Sequence, residues 1–192
     1  STTTGALTEQ SVIIKTNNGE ERTIRIAPTG LAYIFNCGED EVYDGEGNSY
    51  QTVKIGSRCW MAENLNTGSM LATAATSPSD NSNVEKWCYD NDSANCVSKG
   101  GLYSWDELMG YSTTSSVQGI CPAGWHVPTD TEWDTLEAVY PAGSVGTDLK
   151  LNGTSNFGIV MAGELNGTSQ TFDSLTTLGI FWTSTVNGES EA

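Results

Sequence analysis

The residues best suited to chemistry lie in a short acidic segment between two cysteines. Cys88 and Cys96 enclose Asp90, Asp92 and Asn95, three side chains that offer hard oxygen atoms. Oxygen ligands of this kind bind calcium, and a disulfide around them would partly preorganise the site. The segment is too polar to be held by a core and short enough for a local disulfide, so we expect Cys88 to pair with Cys96. Capping of turns by the same side chains is the alternative role, and it is the more common one.

Catalytic groups are scarce. His126 is the only histidine, and neither a second imidazole nor a nucleophile constellation accompanies it. An enzyme needs a nucleophile, a base or a metal set, so the sequence favours a protein that is not an enzyme. We expect His126 to make a structural hydrogen bond. Trp125 and Trp133 are expected in the core rather than on a sugar-binding surface.

The strongest helix signal follows residues 119–128. Thr129 is typical of an N-cap and Glu132 completes a capping box, so a helix is expected to begin at the residue after Thr129. Trp133, Leu136 and Tyr140 recur at spacings of three and four, which predicts one buried apolar face.

A second, shorter helix is predicted near residue 105. Ser104 and Glu107 fit another capping box, the helix would run through Leu108 and Met109, and Gly110 would stop it. Two short helices are therefore expected between strand-like regions.

The N-terminal region has the pattern of a β-hairpin. Residues 11–16 and 22–26 flank an Asn-Gly turn and read as two strands, and residues 31–35 could add a third strand. Residues 1–36 are interpreted either as an addition to the domain that follows or as a linker module.

Two further segments are expected to be irregular. Residues 44–48 have the composition of a turn before a strand at 50–55, and they lack the ligand pattern of an EF-hand. Residues 66–86 are rich in Ser, Thr, Ala and Asn without a period, which predicts a surface loop.

Charge and cysteine content bound the class of protein. The 192 residues contain 8 Lys and Arg against 24 Asp and Glu, a net charge of −16. This balance argues against nucleic acid and against an anionic membrane surface as partners. Apolar stretches are too short to span a membrane. Five cysteines without a metal-type pair indicate disulfides and an oxidising compartment.

Motifs in a fixed order carry a family resemblance. They lie at residues 50–56, 59–66, 87–92, 101–105, 119–140 and 181–185. In this order the chain resembles the Fibrobacter succinogenes major paralogous domain, FISUMP, over residues 37–192. The resemblance implies an α+β, C-type-lectin-like fold with two short helices and twisted antiparallel strands, after a small β-rich N-terminal segment. It also implies a location on the bacterial cell surface or in secreted proteins.

The same resemblance suggests how the remaining cysteines pair. Cys37 precedes the first family motifs and Cys59 lies within them, so the simplest pairing joins these two. Cys121 is then an unpaired thiol. In the family, the cysteine at this position usually forms a disulfide with a cysteine in a closing strand. This sequence lacks that strand. Either the sequence is cut short there, or another chain supplies the strand.

Function is expected to be binding rather than catalysis. The resemblance implies an extracellular binding or adhesion module for polysaccharide or a surface protein, and the candidate ligand face is Trp182, Thr183, Ser184 and Thr185. No cofactor is required, and calcium is the one candidate. The alternative is a self-assembling structural subunit of a pilus-like filament or surface layer.

Overall fold

The N-terminal sheet has three antiparallel strands. The computed structural model describes residues 10–15, 21–26 and 32–186. Strands β1 (Gln10–Lys15), β2 (Glu21–Ile26) and β3 (Ala32–Ile34) pair in the order β1-β2-β3. The predicted hairpin and third strand are therefore confirmed, whereas the Asn-Gly turn lies outside the described residues.

Two tight antiparallel pairs follow. Strands β4 (Val42–Tyr43) and β5 (Ser49–Tyr50) flank the predicted turn. Strands β6 (Thr52–Ile55) and β7 (Arg58–Met61) then form a hairpin. Its turn contains Gly56 at a φ of +60°, a backbone conformation that glycine adopts without steric cost.

The segment expected to be an irregular loop contains a parallel strand pair. Strand β8 (Ser69–Met70) pairs with β9 (Glu85–Lys86), and Leu71 and Lys86 are buried beside it. The loop prediction is thus wrong at both ends of the segment, because strands of two residues are too short to produce a hydrophobic period.

Four helices are present among the described residues, twice the predicted number. A 3₁₀ turn (Tyr89–Asn91) leads into α1 (Ser93–Lys99), followed by α2 (Trp105–Leu108), α3 (Asp130–Glu137) and α4 (Val145–Leu149). The predicted helices are α2 and α3, and the capping box of α3 is complete. The box of α2 is only half formed, because Glu107 accepts hydrogen bonds from Glu85 N and Tyr111 Oη. Strands β10 (Glu164–Asn166) and β11 (Thr171–Asp173) form the last antiparallel pair.

Two apolar clusters hold these short elements together. The larger cluster joins β6, β7, α3 and α4, and the smaller one lies beneath α2. Trp133 and Tyr140 pack against the larger cluster and Leu136 is 2% exposed, which confirms the predicted apolar face of α3. The buried members of the two clusters are Val53, Ile55, Trp60, Leu136, Leu149 and Phe157, and Leu108, Met109 and Val127.

Two disulfides link segments of the fold. Cys37 is bonded to Cys59 and Cys88 to Cys96, with Cα–Cα distances of 5.7 and 5.1 Å. The fold is α+β, with small, mostly antiparallel strand pairs around the helices. None of the helices in the described part of the chain has the length and apolar character of a membrane span.

Candidate functional site

An open groove with a volume of about 1460 Å³ lies among the described residues. Its lining includes strand β7, the start of α3, and residues from segments 157–165 and 179–182. Most of these residues come from irregular segments, which explains why no single periodic pattern predicted the groove.

One side of the groove is an aromatic wall. Trp133 lies at the centre, with its ring centroid 5.1 Å from Trp60, 6.3 Å from Phe157 and 5.6 Å from Phe181. Trp182 completes the wall, and it is 44% exposed while Phe181 is 37% exposed. Because Trp60 and Phe157 are buried behind them, the exposed rings rest on a packed support.

Indole N–H groups fix the exposed part of this wall. Trp182 Nε1 donates to Tyr103 O at 2.9 Å, and Trp133 Nε1 donates to Trp182 O at 3.3 Å. Trp105 Nε1 donates to Thr183 O at 2.8 Å. These bonds join the segment 182–185 to α2 and α3, so the orientation of Trp182 is set by both helices.

The predicted ligand face is only partly exposed, and its role in ligand binding stays a prediction. Ser184 is 0% exposed; its backbone N donates to Pro128 O at 2.7 Å, and its hydroxyl accepts from Ser116 N at 3.0 Å. Thr185 is half-buried, and its hydroxyl accepts from Asp130 N at the start of α3. The segment therefore serves mainly as a structural tie, because its polar groups are used by neighbouring loops; of its four residues, only Trp182 is exposed.

A charged cluster also lines the groove. Glu132 is 8% exposed, and its carboxylate accepts from Arg58 at 2.7 Å and from Thr129 N at 2.9 Å, while His126 Nε2 lies 3.0 Å from both oxygens. Burial by itself would raise the pKa of Glu132. The hydrogen bonds from Thr129 and His126 and the charge of Arg58 outweigh burial, so the pKa lies below its ordinary value. His126 thus makes the predicted structural hydrogen bond.

Trp125 connects the N-terminal sheet to the rest of the structure. Its ring lies 6.2 Å from Phe35 in an edge-on contact, and the guanidinium of Arg25 on β2 lies 4.1 Å from the Phe35 ring centroid. Arg25 is 3% exposed, so this cation–π contact is buried. Trp125 is half-buried, as expected for a packing role.

The acidic segment between Cys88 and Cys96 contains the N-cap and the first residues of helix α1. Asp92 is the N-cap and accepts from Ala94 N at 2.9 Å, whereas Asn95 Nδ2 donates to Tyr89 O and Asn95 Oδ1 accepts from Lys99 Nζ. Asp90 lies in the 3₁₀ turn before them. No group of three His, Cys, Asp or Glu residues in the described part of the chain could hold a metal ion. Calcium binding by Asp90, Asp92 and Asn95 stays a prediction, and the ammonium of Lys99 beside Asn95 opposes it.

Cys121 is the one cysteine outside the two disulfides. It packs against the smaller apolar cluster and also lines the groove. Burial raises the pKa of its thiol to about 12, so the thiol is protonated and a poor nucleophile at neutral pH.

Two features of the site were not predicted from the sequence. One is the ion pair between Arg58 on β7 and the carboxylate of Glu132 on α3, although the capping box had already identified Glu132 as a partner of the Thr129 backbone. Phe157 and Phe181 lie in short apolar groups without a period, so no sequence signal placed them beside Trp133.

The family of the chain follows from comparison with known domains. The model of the Fibrobacter succinogenes major domain matches residues 53–192, well over half of the sequence. The chain therefore belongs to this family. Residues 37–52 lie outside the match, but the Cys37–Cys59 disulfide joins them to it. No curated protein and no solved structure matches the chain.

Proposed function

We propose that the protein is a non-catalytic binding module with a C-type-lectin-like fold, from a bacterial surface or secreted protein, and that it binds polysaccharide in the groove. The observation that carries this proposal is the exposed aromatic wall at Phe181 and Trp182. Aromatic rings beside convergent polar groups are typical of ligand sites, since the rings supply contact area and the polar groups supply orientation.

Polar groups suited to hydroxyl ligands line the same groove. Glu164 and Gln170 offer a carboxylate and an amide group within it. The net charge of −16 opposes the approach of polyanions, so the expected ligand is a neutral polysaccharide rather than an acidic one.

The surroundings of two groups that could serve catalysis support a binding function. His126 is held by Glu132 at 3.0 Å, and the raised pKa of Cys121 keeps its thiol protonated. These contacts support a binding function. The two disulfides support an oxidising location such as the cell exterior.

A glycan array tests the proposal. The full chain, labelled at Lys residues, should bind a set of neutral glycans, with weak or no binding to sulfated and uronic acid polymers. Binding to no glycan by chain that melts cooperatively would contradict the proposal and would favour a protein ligand.

A further inference from the structure

Asn166 and Gly167 form an Asn-Gly pair at the turn between β10 and β11. Asn166 is exposed, is the last residue of β10, and its backbone oxygen accepts from Gln170 N at 2.8 Å. The covalent chain holds the backbone nitrogen of the glycine close to Cγ of the asparagine, and glycine has no side chain to shield that nitrogen. Such a pair can therefore close a succinimide ring.

The turn polarises the side-chain amide of Asn166. Its Oδ1 accepts hydrogen bonds from Thr168 N at 3.0 Å and from Ser169 N at 2.9 Å. The oxygen of an amide is the atom that accepts from N–H groups, so these two contacts fix the orientation of the amide. Negative charge develops on Oδ1 when a nucleophile adds to Cγ, and two N–H groups already directed at that atom stabilise the charge.

The nitrogen that would attack is not engaged elsewhere. Gly167 N donates no hydrogen bond within the described part of the chain. A Cβ added at Gly167 would have no heavy atom within 4 Å, so the space around this residue is open. The nitrogen can approach Cγ without breaking a hydrogen bond.

A second Asn-Gly pair, Asn152 and Gly153, lies in a different environment. Gly153 N donates to Lys150 O at 2.7 Å, and a Cβ added at Gly153 would lie 2.2 Å from Asp148 O. Ring closure at this pair would break the hydrogen bond and move the backbone within a crowded turn. The fold therefore protects Asn152 and leaves Asn166 open to the same reaction.

We propose that Asn166 is a modification site at which the protein converts its own backbone. Gly167 N attacks Cγ of Asn166, and the new N–Cγ bond replaces the bond between Cγ and Nδ2. The proton of Gly167 N leaves with Nδ2 as ammonia. Water, the one co-reactant, then adds across either carbonyl–nitrogen bond of the succinimide and gives aspartate or isoaspartate at this position.

The reaction changes the rim of the groove. Gly167 and Gln170 line the groove, and the product places a carboxylate beside them. The aspartate product keeps the acceptor for Thr168 N and Ser169 N, whereas the isoaspartate product adds a methylene group to the backbone between β10 and the turn. This chemistry belongs to the turn alone and is independent of the proposed glycan binding.

Peptide mapping of the native full chain after incubation at mildly alkaline pH tests the site. Cleavage after glutamate gives peptide 138–164, which contains Asn152, and peptide 165–189, which contains Asn166 and Asn187. Fragmentation of the second peptide shows which asparagine has exchanged ammonia for water. We expect Asn166 to convert about tenfold faster than Asn152, because ring closure at Asn152 must first break a hydrogen bond.

Unfolding in urea provides the comparison. Both turns are lost in urea, so Asn152 and Asn166 should then convert at similar rates. Similar rates in the native chain, a difference that persists in urea, or conversion at Asn187 without conversion at Asn166 would overturn the proposal.

A glycine variant tests the attacking atom. Gly167→Ala should slow the conversion of Asn166 about tenfold, because the added methyl group shields the nitrogen. The variant should fold, since the methyl group enters open space and the φ of Gly167 lies outside the left-handed region; an unchanged melting temperature verifies this. Gly146→Ala, where an added Cβ also meets open space, is the matched control and should leave the rate unchanged. An unchanged rate in Gly167→Ala would contradict attack by Gly167 N.

Discussion

At the scale of single residues, Glu132 is a buried carboxylate with partners on three different segments. Glu132 caps α3, binds Arg58 on β7 and holds His126, all with a side chain that is 8% exposed. A buried charge is tolerated only when such partners replace its hydration. Glu132 therefore couples the helix to the β6–β7 hairpin.

Replacing Glu132 by Gln should reveal this coupling through pH. The pKa of Glu132 in the folded chain lies below its ordinary value of 4.5, so its stabilising contribution is full above that pH and is lost as the pH falls. Glu132→Gln should lower the free energy of unfolding by about 1.5–3 kcal/mol at neutral pH, the usual cost of losing hydrogen bonds to a charged group. Urea unfolding at a series of pH values should show the difference shrinking on the acid side. A difference that does not vary with pH would contradict this role.

Cys121 offers a second test at this scale. Because burial raises the pKa of the thiol to about 12, the native protein should react slowly with a thiol reagent at neutral pH. Unfolding without reductant should expose one thiol per chain, in agreement with two disulfides. Rapid reaction of the native chain, or no thiol after unfolding, would contradict the structure.

At the scale of elements, the sequence predicts those helices and strands whose capping residues, turns or apolar spacing lie close together in the chain. The capping box of Thr129 and Glu132 and the spacing of Leu136 placed α3 correctly, and the Asn-Gly turn signal between two strand-like segments placed β1 and β2. Helix α1 was missed because its acidic N-cap, Asp92, had been interpreted as part of an oxygen-ligand set. Carboxylates serve both purposes, and the sequence alone does not distinguish them.

The N-cap role of Asp92 is testable against the calcium prediction. Asp92→Ala removes the acceptor for Ala94 N and should cost about 0.5–2 kcal/mol of stability, whether calcium or chelator is present. A melting temperature of the native chain that rises with millimolar calcium and falls with chelator would instead show that the segment binds the ion.

The segment 182–185 shows how much of the site depends on contacts distant in sequence. Ser184 is bound to Pro128 and Ser116, more than fifty residues away, and no local pattern encodes such contacts. Sequence similarity identified the segment as important, but its apolar and hydroxyl residues do not reveal which side chains face inward.

A buried hydroxyl in this segment should be costly to remove. Ser184→Ala leaves Ser116 N without its acceptor, so we expect a loss of about 1–3 kcal/mol in the free energy of unfolding. Ser98→Ala on the exposed side of α1 is the control, with a change within about 0.5 kcal/mol. Equal effects in thermal unfolding would show that Ser184 is not a tie between loops.

At the scale of the whole molecule, short elements are joined by disulfides, buried polar contacts and an aromatic cluster rather than by one large sheet. Of the five sheets formed by the described residues, four have only two strands. This architecture leaves long irregular segments on the surface, and such segments commonly carry binding sites on a rigid scaffold. The aromatic groove is formed where several of them meet around α3.

The most direct test of this binding account is calorimetry with a neutral glycan selected on the array. The affinity of this glycan is measured for the native chain, for Trp182→Ala and for Tyr43→Ala. Trp182 is 44% exposed in the groove, whereas Tyr43 is 51% exposed outside its lining. The account predicts about tenfold weaker binding for Trp182→Ala, equivalent to about 1.4 kcal/mol, and unchanged binding for Tyr43→Ala. It also predicts that the glycan shifts the indole N–H resonance of Trp182 in the native chain. An unshifted resonance, with equal affinity in all three proteins, would contradict it.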